Sequence, residues 1–274
     1  MFTNQLRKIF GLFIIVFVTA QFTACENPVT GYGPQPSFLE NQQHQPHLNI
    51  FGVLRPEQQN GLPQSFVHLE QIISVTAPYP DSSTISDAEV KIFHYQEKEN
   101  IETVELKYTD FNTRFPKKEY RAANFYPHAG HTYKISCRRA GFPELTGQTT
   151  LPAVPQILEP SLKIKANEIT FTILRDSQVA LYDIYLLSGS LEYAQRVMRP
   201  EKGNIQVTLA CPQRLSAIGK LIIYAYDLNL SEYNTYNLTI KLNTYKTAYS
   251  TVENGYGCFG SLNILEREIV FGVE

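Results

Sequence analysis

Six histidines carry most of the metal-binding chemistry the chain could offer: His44, His47, His68, His94, His128 and His131. Two pairs stand three residues apart, in "HQPH" (44–47) and "HAGH" (128–131). A metal needs three or four ligands and a supporting shell, drawn as a rule from more than one segment. Neither pair has a Cys, Asp or Glu at ligand spacing, and "HAGH" reads as a glycine turn between strands. No metal is expected at either, and no cofactor is implied. Hydrolytic chemistry is equally thin. "LSGSL" (187–191) lacks the flanking glycines of a nucleophile elbow. Neither H-E-x-x-H nor a glycine-rich phosphate loop occurs. The carboxylates are too scattered to nominate a glycosidase pair. No catalytic residue is assigned.

The four cysteines are Cys25, Cys137, Cys211 and Cys258. Cys25 follows a leader in which Arg7 and Lys8 precede an apolar run from Ile9 to Ala20. That run falls short of the about 20 residues needed to cross a bilayer core. Residues 1–24 therefore read as a signal peptide. The stretch Phe22–Thr23–Ala24–Cys25 resembles a bacterial lipobox, with Phe22 where Leu is usual. The resemblance implies diacylglycerol on the Cys25 sulfur, cleavage before it, and acylation of the new amino terminus. Two or three acyl chains hold a protein stably on a membrane. Residues 25–46, rich in Pro, Gly, Asn and Gln without period, then read as a flexible tether.

With Cys25 lipidated, three cysteines remain, and the oxidising cell envelope permits a bridge. Cys211 and Cys258 share the second half of the chain and are the favoured pair. Three buried thiols acting as small hydrophobes are the competing reading. "ENGYGCFGS" (253–261) is the densest glycine–aromatic cluster. It reads either as a ligand loop presenting Tyr256 and Phe259, or as a bulge packed by those rings. The tyrosines and asparagines of "YAYDLNLSEYNTY" (224–236) suit sugar or protein contact, or packing.

The elements that must position these residues are strands. The 17 tyrosines and 16 phenylalanines favour pleated, half-buried surfaces. About seven strands are expected between 47 and 152, with "QEKEN" (96–100) as a hairpin loop. That count suits an immunoglobulin-like sandwich over 47–153. "AVPQILEP" (153–160) marks a boundary, and a second β-rich domain is expected over 154–274. In it "EYAQRVMRP" (192–200) fits strand or short helix, and "SEYNTYNLTIKLN" (231–243) could begin as a helical turn. The formal charge of −2, without a basic stripe, argues against nucleic acid.

Three stretches then take on a pattern. "ISDAEVKIF" (85–93), "AGHTYKIS" (129–136) and "LTGQTTLPAVP" (145–155) resemble transthyretin-like regulatory domains, and "VENGYGCFGS" (252–261) resembles their glycine-rich signature. With the lipobox, their order resembles the Bacteroidota lipoproteins of the domain-of-unknown-function 4249 family, over nearly all of 47–274. The resemblance implies an outer-membrane lipoprotein with a β-sandwich in front, a β-rich region behind, and a TonB-dependent transporter as neighbour. It implies no activity and no catalytic residues. The expected role is non-enzymatic binding or accessory work, the ligand being unspecified. A structural or adhesive surface component and a hydrolase of distributed site are the alternatives. Immediately after Cys25 the only acidic residue is Glu26, before Asn27 and Pro28, so the periplasmic and surface faces both stay open.

Overall fold

The computed structural model describes residues 46–56, 58–59, 62–72, 83–110, 118–165, 167–211, 218–238 and 250–271. The leader, Cys25, His44 and all but the last residue of the tether lie outside the described residues. The body from Pro46 onward is one compact unit.

In chain order its strands are β1 (Leu48–Leu54), β2 (Gln58–Gln59), β3 (Leu62–Pro63), β4 (Phe66–Gln71), β5 (Glu89–Gln96), β6 (Glu99–Asp110), β7 (Lys118–Arg121), β8 (Thr132–Arg138) and β9 (Leu145–Thr150). They continue with β10 (Lys163–Lys165), β11 (Glu168–Ile173), β12 (Leu181–Ser188), β13 (Leu191–Met198), β14 (Ile205–Ala210) and β15 (Ile218–Tyr226). A helix, α1 (Leu228–Leu238), precedes β16 (Val252–Glu253) and β17 (Gly255–Val270). The fold is all-β, as the aromatic and β-branched content leads one to expect. Residues 191–198 are strand, and the helical turn suspected near 231 is a helix that starts at Leu228.

The second half is a sandwich of three strands on four. One sheet runs β10-β11-β14, and the facing strands run β13-β12-β15-β17. Period-two patterning builds it: Ile169, Phe171 and Ile173 of β11 and Ile205, Val207 and Leu209 of β14 point inward. They meet Tyr182, Ile184 and Leu186 of β12 and Leu221, Ile223 and Ala225 of β15 in one core. This three-on-four arrangement is that of an immunoglobulin- or fibronectin-type sandwich.

The first half is a second sandwich with its own core, drawn from β1, β4, β5, β6, β7, β8 and β9. Its two sheets are linked by β6, which pairs with β5 through Glu99–Leu106 and with β7 through Lys107–Asp110. The far end of the chain completes it. Gly255–Ser261 of β17 lies parallel to Leu48–Leu54 of β1, and Val252–Glu253 pairs with β9. From Leu262 onward the same strand runs antiparallel to β15 in the second sandwich. One 16-residue strand thus belongs to both cores, and the sheet that contains it has twelve strands.

Candidate functional site

The glycine–aromatic cluster is strand, and this corrects the ligand-loop reading for Phe259. Its ring is fully buried in the first core, while Tyr256 is 41% exposed and meets the His47 ring edge-on at 5.8 Å. Glycine is needed there because β1 comes so close. A Cβ on Gly257, at φ +102°, would sit 2.0 Å from the Ile50 carbonyl oxygen. The cysteine pairing is also corrected. Cys137, Cys211 and Cys258 are free and buried. Cys137 belongs to the first core, Cys211 to the second, and Cys258 to a third cluster beside α1. Burial pushes the Cys258 thiol up to about 12 and Cys137 higher still, so these thiols are inert.

A cleft of about 300 Å³ opens where the two sandwiches meet. One wall is the end of β9 (Gln148–Thr150), another the loop before β12 (Ser177–Ala180), with Arg199 and the start of α1. The walls are held from behind. Asp227 caps the helix: its Oδ1 accepts from the Leu230 N–H at 2.8 Å, its Oδ2 from the Thr149 hydroxyl. Thr149 and Ser261 hydroxyls lie 2.8 Å apart, and Asp227 N–H donates to the Ser261 carbonyl at 3.0 Å. Asn229 Nδ2 donates to the carbonyls of Gln148 at 2.7 Å and Phe259 at 2.9 Å. The Arg199 guanidinium donates to the Ser177 carbonyl.

Burial raises the Asp227 carboxyl to about 6, against the lowering by its hydrogen bonds to Thr149, Leu230 and Ser261. Both its oxygens are engaged, so it holds helix and strand together and is not a free base. The cleft can therefore offer amide, hydroxyl and guanidinium hydrogen bonds, and no nucleophile–base pair lies in it among the described residues. Sequence reasoning passed over Asp227. The signal was an aspartate directly before the helix, at a strand end.

A second constellation gathers residues that the sequence scatters. "HAGH" forms a turn in which His131 N–H donates to the His128 carbonyl at 3.3 Å and Gly130 takes φ +79°. The antiparallel register sets His94 of β5 opposite Tyr133 of β8 and Glu102 of β6. Three imidazoles therefore converge. Their centroids are 5.0 Å apart for His94 and His131, 5.6 Å for His128 and His131, and 5.8 Å for His94 and His128.

The His94 Nε2 atom lies 2.7 Å from His131 Nδ1 and 3.2 Å from the Tyr133 hydroxyl. His94 Nδ1 faces Glu102 Oε2 at 3.5 Å. The Tyr133 oxygen accepts from His128 N–H at 2.7 Å. Burial, first of all, holds the His94 imidazole below its ordinary range; Glu102 opposes this, and His131 adds to it. Of the other described histidines, His68 pairs with Glu70 at 3.2 Å and His47 lies against Tyr256.

No family model matches the chain, and no curated protein matches it. Among solved structures it is similar to the FN1–FN3 domains of chicken CNTN1, at 12% identity and a TM-score of 0.25. That likeness covers 82% of this chain and 65% of the other, so this chain spans just under two thirds of it. It is also similar to the chicken interferon gamma receptor alpha chain, at 8% identity and a TM-score of 0.25, covering 84% of this chain and 100% of that one.

Proposed function

We propose that the protein is a lipid-anchored, non-catalytic binding protein of the outer membrane that works beside a TonB-dependent transporter. The membrane part rests on the leader, the lipobox-like Phe22–Cys25 and the tether behind it. The transporter part rests on the resemblance of 85–93, 129–136, 145–155 and 252–261 to envelope lipoproteins. The observation that carries the binding part is the polar cleft between two sandwiches that share β17. A shared strand holds both walls at a constant spacing, which lowers the ordering cost of capture.

The test is recovery of the native protein from cross-linked outer membranes. Expected are membrane retention that Cys25→Ser abolishes, and enrichment of a transporter with the wild-type chain. Retention that survives Cys25→Ser would overturn the anchor. Assembly of the purified chain into polymers, without a transporter, would replace the binding role with a structural one.

A further inference from the structure

We propose that the contact between His94 and His131 is an acid-released latch, which holds the 128–131 turn to the first sandwich until both rings are charged and then lets it go. The inference rests neither on the cleft nor on the membrane anchor. His94 Nε2 and His131 Nδ1 lie 2.7 Å apart, a separation with room for one hydrogen. Whichever ring donates, the other presents a lone pair. Two neutral rings meet that condition, and so does one imidazole facing one imidazolium. Two imidazoliums fail it, because each has hydrogens on both nitrogens and two N–H groups would meet head-on. This holds for either tautomer.

The surroundings decide which side gives way. Among the described residues, the titratable groups facing His94 are Glu102 from β6, Tyr133 from β8, and His128 and His131 from the turn. Glu102 lies 3.5 Å from His94 Nδ1 and favours a first charge, but its side chain is 57% exposed, so water weakens the pull. The Tyr133 hydroxyl, pushed up to about 12 by burial, stays protonated and adds no anion. The His128 ring is stacked on His94, and any charge it takes up repels the pair further. Burial holds the His94 imidazole below its ordinary 6.5, so its contribution to stability is present above about pH 6.5 and is lost as pH falls. His94 is 4% exposed between β6 and β8, whereas His131 is half-buried and His128 exposed. The turn is therefore the part that moves.

Backbone bonds continue the fastening. Gly130 N–H donates to the Leu151 carbonyl at 2.7 Å, and Leu151 N–H to that of His131 at 3.1 Å. The neighbouring residues reach the junction. The Thr150 carbonyl accepts from the Ser261 hydroxyl at 3.0 Å and that of Pro152 from Asn263 Nδ2 at 2.9 Å. Ala153 N–H donates to Asp176 Oδ2 at 3.0 Å. The latch thus secures the segment by which the first sandwich holds β17 and the loop before β12.

Hydrogen exchange of the full chain in detergent, compared at about pH 7.5 and about pH 5, tests the latch. The buried Asp227 carboxyl titrates in the same interval with the opposite sign, so the readout is local. Protection factors, corrected for the intrinsic pH dependence of exchange, should fall about tenfold at Gly130, His131 and Leu151, the equivalent of a one-unit shift. Those of β11 and β12 should hold. His131→Asn keeps a hydrogen-bonding atom near the Nδ1 position and takes no charge, so the turn should stay protected at the lower pH. Imidazole NMR titration of the wild-type chain gives a check that needs no variant: the second proton should enter the pair as protection falls. Equal protection at both pH values overturns the latch. So does a fall that persists in His131→Asn, or a doubly charged pair with the turn still protected.

Discussion

The two sandwiches are built from the same kind of strand yet reach closure differently. The second draws its facing sheets from neighbouring stretches, 163–210 and 181–270, around a core of aliphatic and aromatic side chains. The first lacks a strand until the chain returns: Gly255–Ser261 must lie parallel to β1 before Phe259 can fill its core. The first also tolerates a polar inclusion, with His94 and Tyr133 buried side by side. Closure by a distant segment ties the stability of one sandwich to the other. It places the cleft and the helix where the strand changes partner, between Ser261 and Leu262.

That dependence can be broken at one atom. Gly257→Ala adds a Cβ aimed at the Ile50 carbonyl, in a backbone conformation that L residues rarely adopt. The expected loss is about 4 kcal/mol, the largest in the molecule, because strain and the detachment of β1 add. Hydrogen exchange distinguishes two outcomes. Amides of β8 should lose protection while those of β11 and β12 keep it. If all lose protection together, the sandwiches fold as one cooperative unit and the contrast drawn above is only topological.

Asp227 offers a milder cut at the junction. Asp227→Ala removes the helix cap and one of the two partners of the Thr149 hydroxyl, leaving it Ser261, for an expected loss of about 2 kcal/mol. The carboxylate has a pH signature of its own. Its folded value is raised to about 6 from an ordinary 3.8, the reverse of a paired carboxylate. The folded state therefore holds the proton more tightly than the unfolded chain. Its contribution to stability is fully present below about pH 4 and is lost as pH rises through about 6. The difference is on the order of 3 kcal/mol. Asp227→Asn should flatten that segment of the stability–pH curve, read from denaturant midpoints. An unaltered curve would mean that the junction is wetter than its burial implies.

Most strands were legible because their own side chains alternate. β11 and β14 need no partner to declare which face turns inward. The first half of β17 was not legible as strand. Glycine is depleted from strands by local preference, and "GYGCFG" earns its place only through the close approach of β1 from 200 residues away in sequence. The cysteine pairing failed for a related reason. Proximity in sequence placed Cys211 and Cys258 in one region, whereas the strand that carries Cys258 leaves that region. The histidine cluster was half visible, as "HAGH". Its third member depends on the β5–β8 register, which sets His94 opposite Tyr133 and which no local pattern reports.

The smallest effect compares two hairpins, one in each sandwich. Both have two-residue turns, Glu97–Lys98 between Gln96 and Glu99, and Gly189–Ser190 between Ser188 and Leu191. The second sandwich has a glycine at its positive φ of 62°. The first places Glu97 at φ 46° and Lys98 at φ 78°, where a Cβ crowds the backbone. The two-residue turn that matches strand twist favours Asn-Gly at these positions. Glu97→Asn with Lys98→Gly should therefore stabilise the first sandwich by about 1 kcal/mol, and Gly189→Ala should destabilise the second by about as much. Thermal melts of the two variants should move in opposite directions. If the Asn-Gly turn brings no gain, the β5–β6 hairpin is held by its cross-strand pairs and not by its corner, and the first sandwich has less slack to recover than its turn chemistry suggests.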